Sequence, residues 1–310
     1  MPLQRVVTDL GADLPFAQAA GKLQEHYGVV LSPSTIRQVT EGHARALIAD
    51  SEDEPAWPTQ AGVATVIAEV DGGMVPLVEV DPDSADRRRG KRLLWKEAKV
   101  SLAHAHGSTT RVYDATLGGG VEVAGRQLLG CAIAAGLGAT SRVHALGDGA
   151  AWIADQVATR FGTQGSYTVD FFHVCDYLAD AAKGCAPDAP KSWLELQKKR
   201  LKNNDSTAVL AALGEALEPA AVPDADAPVR TCHRYLSNRI DQLDYQGALA
   251  QGLPIGSGEI ESAHRYIVQQ RLKRPGAWWA PDNAEAMLAL RVTRANGKWS
   301  AYWQDLKQAA

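Results

Sequence analysis

VATVIAEVDGGMVPLVEV, residues 63–80, decides the fold: two β-rich apolar runs, 63–70 and 74–80, flank Asp71, Gly72 and Gly73. So many β-branched residues predict strands, and the Asp-Gly-Gly predicts a tight turn that pairs them. The pattern returns at 142–146, a short strand that stops at Gly147, Asp148 and Gly149, after which Trp152, Ile153, Val157 and Phe161 recur at helical spacing. Residues 95–104 predict a further strand, 126–135 a helix, and 167–174 another strand with Asp170 and His173 inside it. Strands interrupted by helices, with an acid at two strand ends, predict an α/β layered domain.

Upstream, residues 13–48 predict two helices and a turn. Leu14, Ala17, Ala20, Leu23 and Tyr27 fall near helical spacing and Gly28 follows as C-cap. Ser32 is placed to cap the next helix, with Pro33 at its first position, Ile36, Val39 and Ala44 inward, and Ser34, Arg37, Gln38 and Glu41 outward. This outline fits a helix-turn-helix whose second helix enters a major groove, and equally a helical packing or dimerisation module. The acidic stretch 50–58 reads as a linker. Residues 177–250 turn helical and polar, broken at 218–228; a helix then starts at 254–258, and Trp299, Tyr302 and Trp303 lie on an amphipathic tail. The expected division is 1–56 for the helix-turn-helix and linker, 57–178 for the first part of the α/β core, 179–250 for an all-helical insertion and 251–310 for the rest of the core.

At 45% hydrophobic and 22% charged, the 310 residues have an ordinary globular composition. No apolar run approaches the ~18 residues of a membrane span, and residues 1–10 lack the pattern of a signal peptide; a cytoplasmic protein with no membrane partner is expected. Cys131, Cys175, Cys185 and Cys232 form no C-x-x-C pair, so they read as buried or reduced thiols. The net charge of -4 is unevenly spread. Residues 87–99 hold seven basic residues (Arg87, Arg88, Arg89, Lys91, Arg92, Lys96, Lys99) against Glu97, and 191–202 hold five, Lys198, Lys199 and Arg200 among them, against Glu195. Arg265, Arg271, Lys273, Arg274, Arg291, Arg294 and Lys298 follow. Each cluster suits a phosphate backbone or a solvated face.

Asp71 and Asp148, each ending an apolar run before Gly, have the posture of ligands to a hard divalent cation, and equally of ordinary turns. A third acid is offered by the helix starting near Ser257. Stepping ~100° per residue places Ile260, His264, Ile267, Val268, Arg271 and Leu272 in one arc, with Glu261 on its edge and Glu259 opposite, beside Tyr266 and Gln270. An acid bordering a buried stripe is costly unless paired or metal-bound, which favours Glu261; a surface partnership with Arg265 is the other reading.

The segments DGGMVPL from Asp71, LGDGAAWI from Leu146, DFFHVCDYL from Asp170 and GLPIGSGEIESAHRYIVQQRLKRPGAWW from Gly252 resemble the insertion-sequence transposases of the Kra type, relatives of the Mutator-like group. That resemblance implies an RNase H-like catalytic core with a helical insertion before the last acid. It also implies an Asp, Asp, Glu triad, here Asp71, Asp148 and Glu261, 77 and 113 residues apart, binding two Mg²⁺ or Mn²⁺ ions. His173 matches a position near the site, as an assisting or a buried structural histidine. Relatives of this type carry a cysteine-rich zinc-binding segment ahead of the helix-turn-helix, and none is seen from Met1 onward, so a truncated element is expected.

The activity so implied is metal-dependent DNA cleavage and strand transfer. The expected partners are element ends and target DNA, bound by a homo-oligomer. Arg37 and Gln38, Arg87, Arg88 and Arg89, Lys198, Lys199 and Arg200, and Arg271, Lys273 and Arg274 would meet the DNA, while Trp152, Trp278 and Trp279 either stack on an unpaired base or pack internally. The alternatives are an RNase H-like nuclease without joining activity, a catalytically idle DNA-binding derivative, and, with least support, a zinc hydrolase built on His104 and His106.

Overall fold

Five strands make one mixed sheet in the order β3-β2-β1-β4-β5. In the computed structural model, which describes residues 2–48, 54–81, 83 and 90–308, these are β1 (Thr65–Val80), β2 (Lys91–Ala105), β3 (Val112–Leu117), β4 (Arg142–Gly147) and β5 (Gly165–Val169). β1 is antiparallel to β2 and β2 to β3, whereas β4 runs parallel to both β1 and β5. Asp71-Gly72-Gly73 is therefore no turn: the two expected runs form one 16-residue strand, its register with β2 unbroken from Val66↔Ala105 to Val80↔Lys91. The long complementary β2 holds it straight, each backbone group of Asp71–Gly73 facing a partner in Ala98–Val100.

Even-numbered Val66, Ala68 and Val70 pack with α4 (Val121–Ala134) and α5 (Ala151–Phe161) on one face of the sheet. Further along, Val75 and Leu77 join a second core with Ile260, Ile267, Leu272 and α13 (Pro281–Ala295). Three helices precede the sheet: α1 (Pro2–Asp13), which the sequence reading missed, α2 (Phe16–Tyr27) and α3 (Pro33–Arg45). Gly28 caps α2 at φ 65°, and the Ser32 hydroxyl accepts from Thr35 N, both as expected. Ile36 and Ala44 are buried, but Tyr27 and Ala17 face solvent, and Glu41 is buried instead of outward. Part of the 50–58 linker, and Arg87, Arg88 and Arg89, lie outside the described residues.

The expected strand at 167–174 ends at Val169, where Asp170 caps α6 (Phe171–Cys185), so neither Asp170 nor His173 lies in a strand. α7 (Pro190–Lys202), α8 (Ser206–Gly214), α9 (Pro228–Ser237) and α10 (Tyr245–Ala250) then build a helical unit on its own core of Val174, Leu178, Leu201, Leu213 and Leu236. α11 (Gly258–Ala263) runs through a π-helical stretch, His264–Gln269, into α12 (Gln270–Leu272), and the chain ends in α14 (Trp299–Gln308). The π stretch leaves carbonyls out of the ordinary ladder. Arg291 of α13 meets two of them, donating to Ile267 O at 2.7 Å and to Tyr266 O, and also reaches Ala12 O and Asp13. The four cysteines are free, three of them buried, and among the described residues no helix is long and apolar enough to cross a membrane.

One buried carboxylate ties the helical unit to the sheet. Asp170 accepts from Phe172 N (2.6 Å) and His173 N (3.1 Å) where the unit departs, and from Ser257 N (2.7 Å) and Oγ (2.5 Å) where it returns. Asp170→Ala would strand four donors in a site 3% exposed. A stability loss of about 2–4 kcal/mol in urea unfolding is expected; an unshifted midpoint would show that the clasp is replaceable.

Candidate active site

The parallel register of β1 with β4 ends at Glu69↔Leu146, and two residues further along each chain stand Asp71 and Asp148. Asp71 shares a face of β1 with Glu69 and so lies on the side that carries α11, while Asp148 follows directly on the end of β4, at the point where β1 continues beside β2 alone. Burial lifts the Asp71 carboxyl above its usual range, and Asp148 and Glu97 push the same way, against the opposing pull of His264 and the Gly72 amide. Glu97 folds over Gly72, where a Cβ would collide with its Oε1, and forms an ion pair with the buried Lys99.

The Asp148 loop is held from several sides. Asp148 Oδ1 accepts from Ala150 N (2.8 Å), its carbonyl accepts from the Tyr235 hydroxyl (2.6 Å), and Gly149 N donates to the Tyr167 hydroxyl (3.0 Å). Arg239 donates to Gly149 O (2.7 Å) and lies over the Tyr235 ring at 4.0 Å. The helical unit therefore reaches the site through Tyr235 and Arg239, neither of which stands out in the sequence.

On the opposite wall, the predicted arc from Ile260 to Leu272 is buried throughout, His264 and Arg271 included. His264 Nε2 lies 3.0 Å from Asp71 O and 3.7 Å from its Oδ2. Glu261, one turn earlier, is exposed, which corrects its expected place against the buried stripe. It makes no ion pair with Arg265 among the described residues. The half-buried acid is Glu259, held by both Arg111 donors at 2.7 Å and lying 3.2 Å from His104; the hydrogen bond from Arg111 keeps it below the usual carboxylate range. Glu69, two residues before Asp71 and 1% exposed, accepts from Ile260 N at 2.8 Å. Burial, with Glu259 and Asp170 adding to it against the hydrogen bond from Ile260 N, pushes its carboxyl up to about 8.

Asp71 and Asp148 are thus brought together, and Glu261 stands one turn ahead of the histidine that touches Asp71. Among the described residues no group of three or more His, Cys, Asp or Glu side chains converges closely enough to hold a metal ion, neither around Asp71 nor around His104 and His106. His173 stands one layer back, against the Tyr177 and Tyr235 rings at 5.4 and 5.9 Å. Arg37, Gln38, Lys199 and Lys273 are exposed, as phosphate contacts require. Lys198 pairs with Glu195, and Arg200 bonds Gln197 and Ala208 O. Arg271, Arg291 and Lys99 are buried and so do not lie on the open surface, and Trp279 is buried too, whereas Trp278 is exposed.

Gly149 sits at φ 88°, and a Cβ there would strike the Tyr235 hydroxyl and the Arg239 guanidinium. Gly149→Ala is expected to cost about 1–3 kcal/mol of stability in thermal unfolding; melting like the parent would mean that the clasp yields easily.

The model of the uncharacterised protein family UPF0236 matches residues 137–306, more than half of the chain, a span that includes Asp148, the helical unit and the Glu261 helix. No curated protein matches it in sequence. The chain belongs to UPF0236.

Proposed function

We propose that this protein is a DDE transposase of an insertion sequence, cleaving DNA at the element's ends and joining the freed strand to a target, with Asp71, Asp148 and Glu261 as its acids. The observation that carries the reading is the placing of Asp71, in β1, and Asp148, just past the end of the neighbouring parallel strand β4, with the helix that holds Glu261 packed against β1. An RNase H-like core is supported by the mixed sheet and by the helical unit inserted between β5 and that helix. The three-helix N-terminus fits a helix-turn-helix that presents Arg37 and Gln38 to DNA.

Carboxylate oxygens are the donor type that a hard divalent cation such as Mg²⁺ or Mn²⁺ takes, and the charge of Asp148 already disfavours ionised Asp71. Asp71 and Asp148 would hold it, with Glu261 as the third acid. Two such ions, when bound, would supply Lewis acidity to a phosphate and would lower the pKa of a water molecule. His264 fixes the Asp71 backbone and side chain, while Tyr235 and Arg239 fix the Asp148 loop, so neither acid has to be ordered when DNA arrives. Exposed Lys199 and Lys273 supply phosphate contacts without sequence preference.

Incubation with labelled DNA carrying the element's ends, under Mg²⁺ or Mn²⁺, is expected to yield cleaved and joined products. Asp148→Ala and Glu261→Gln should each abolish both, by about a thousandfold or more, while DNA binding persists. Cleavage without joining would make the protein a nuclease; binding without chemistry under either metal would make it an idle derivative.

A further inference from the structure

Some distance from the carboxylates, a cleft of about 540 Å³ opens between the N-terminal helices, the far end of β1 and the 274–280 loop. Val78, on its wall, lies seven residues along β1 from Asp71, about 23 Å at strand rise. The volume is that of a small-molecule site. Its chemistry is unusual for a packing defect. Arg37, Lys91, Arg271 and Arg274 line it against a single acid, Glu41, whose buried carboxyl is itself shifted toward the neutral form.

Arg271 is the most telling of these residues. It is 3% exposed, and its guanidinium lies against both the Phe16 ring (4.8 Å) and the Trp279 ring (4.6 Å), with Nε donating to Gly11 O at 3.1 Å. Its Nη2, Arg274 Nη1 and Trp279 Nε1 are all buried without a hydrogen-bond partner among the described residues. Three donors on one cleft, two of them cationic, form a costly arrangement unless an anion completes it. At the mouth, Trp278 is 62% exposed, and Lys91 Nζ lies 5.7 Å from its ring centroid. A cationic floor with an open indole face beside it suits a ligand that is flat at one end and anionic at the other.

We propose that this cleft binds an unpaired nucleotide, with its base stacked on Trp278 and its phosphate received by Arg271 and Arg274, flanked by Arg37 and Lys91. The nucleotide comes either from a single strand or from a free nucleoside phosphate, since both carry the same two groups. The site is independent of the carboxylate chemistry and uses no metal.

The test is fluorescence anisotropy of a labelled short oligothymidylate with the full chain in excess chelator, so that the outcome does not depend on strand cleavage or joining. Thymidine monophosphate, inorganic phosphate, a blunt duplex and an oligoglutamate peptide serve as competitors. The single strand should bind, and Trp278→Ala and Arg274→Gln should each weaken it about tenfold while melting like the parent. Because Trp278 is exposed, its variant keeps the test decisive even if Arg274→Gln unfolds. Competition by thymidine monophosphate marks a free nucleotide as ligand; its failure beside a binding strand marks a nucleotide within a chain. Parental affinity in the Trp278 variant, or competition by duplex, peptide or phosphate equal to that of the single strand, overturns the proposal.

Discussion

The Asp170 carboxylate is the interaction on which the rest depends. A chain that leaves a sheet for more than 80 residues must return to one place if the helix after it is to meet the first strand. Asp170 achieves this by accepting hydrogen bonds from both ends of the excursion, from Phe172 and His173 on departure and from Ser257 on return, reinforced by Phe171 N donating to Ile255 O at 2.8 Å. Its burial makes each bond matter, because a donor left unmet there has no water to turn to. With Ser257 fixed, Ile260 N falls against Glu69 and His264 against Asp71, so the helix that carries Glu261 is set in phase and position by Asp170.

The same constraint explains why the helical unit is more than an ornament on the loop. Tyr235 of α9 and Arg239, just past its end, reach back to the Asp148-Gly149 turn. The excursion thus grips both candidates: its return holds the helix beside Asp71, and its interior holds the turn beside Asp148. Rigid support of this kind lets like-charged carboxylates be kept together in the absence of a cation, since neither strand can move apart to relieve the repulsion without breaking buried hydrogen bonds.

Much of this was legible in the sequence, for identifiable reasons. The stripe from Ile260 to Leu272 follows helical phase because burial alone sets it, and the caps at Gly28 and Ser32 follow from local chemistry. β4, α4 and α5 were found because apolar period and turn residues agree there. What failed was non-local. Nothing in Asp71-Gly72-Gly73 reveals that β2 is long enough to hold it straight, so a strand interior looked like a hairpin. Asp170 did carry a signal, an Asp directly after a β run and ahead of a helical repeat, but the apolar Phe171 and Phe172 extended the strand pattern past it.

The acids of the last helix show how a correct phase can still mislead. Phase placed Glu261 at the edge of the buried stripe and inferred a penalty to be relieved; the neighbouring sheet leaves that edge open to solvent, and the acid that needs a partner is Glu259, which finds Arg111 and His104. A helical wheel fixes which residues share a face, whereas desolvation depends on what the face meets, and that is decided by β1, β2 and β3 far away in sequence. Glu259 is already neutralised by a bidentate arginine, while Glu261, one turn from the histidine that touches Asp71, stays in solvent because no strand among the described residues covers its side of the helix.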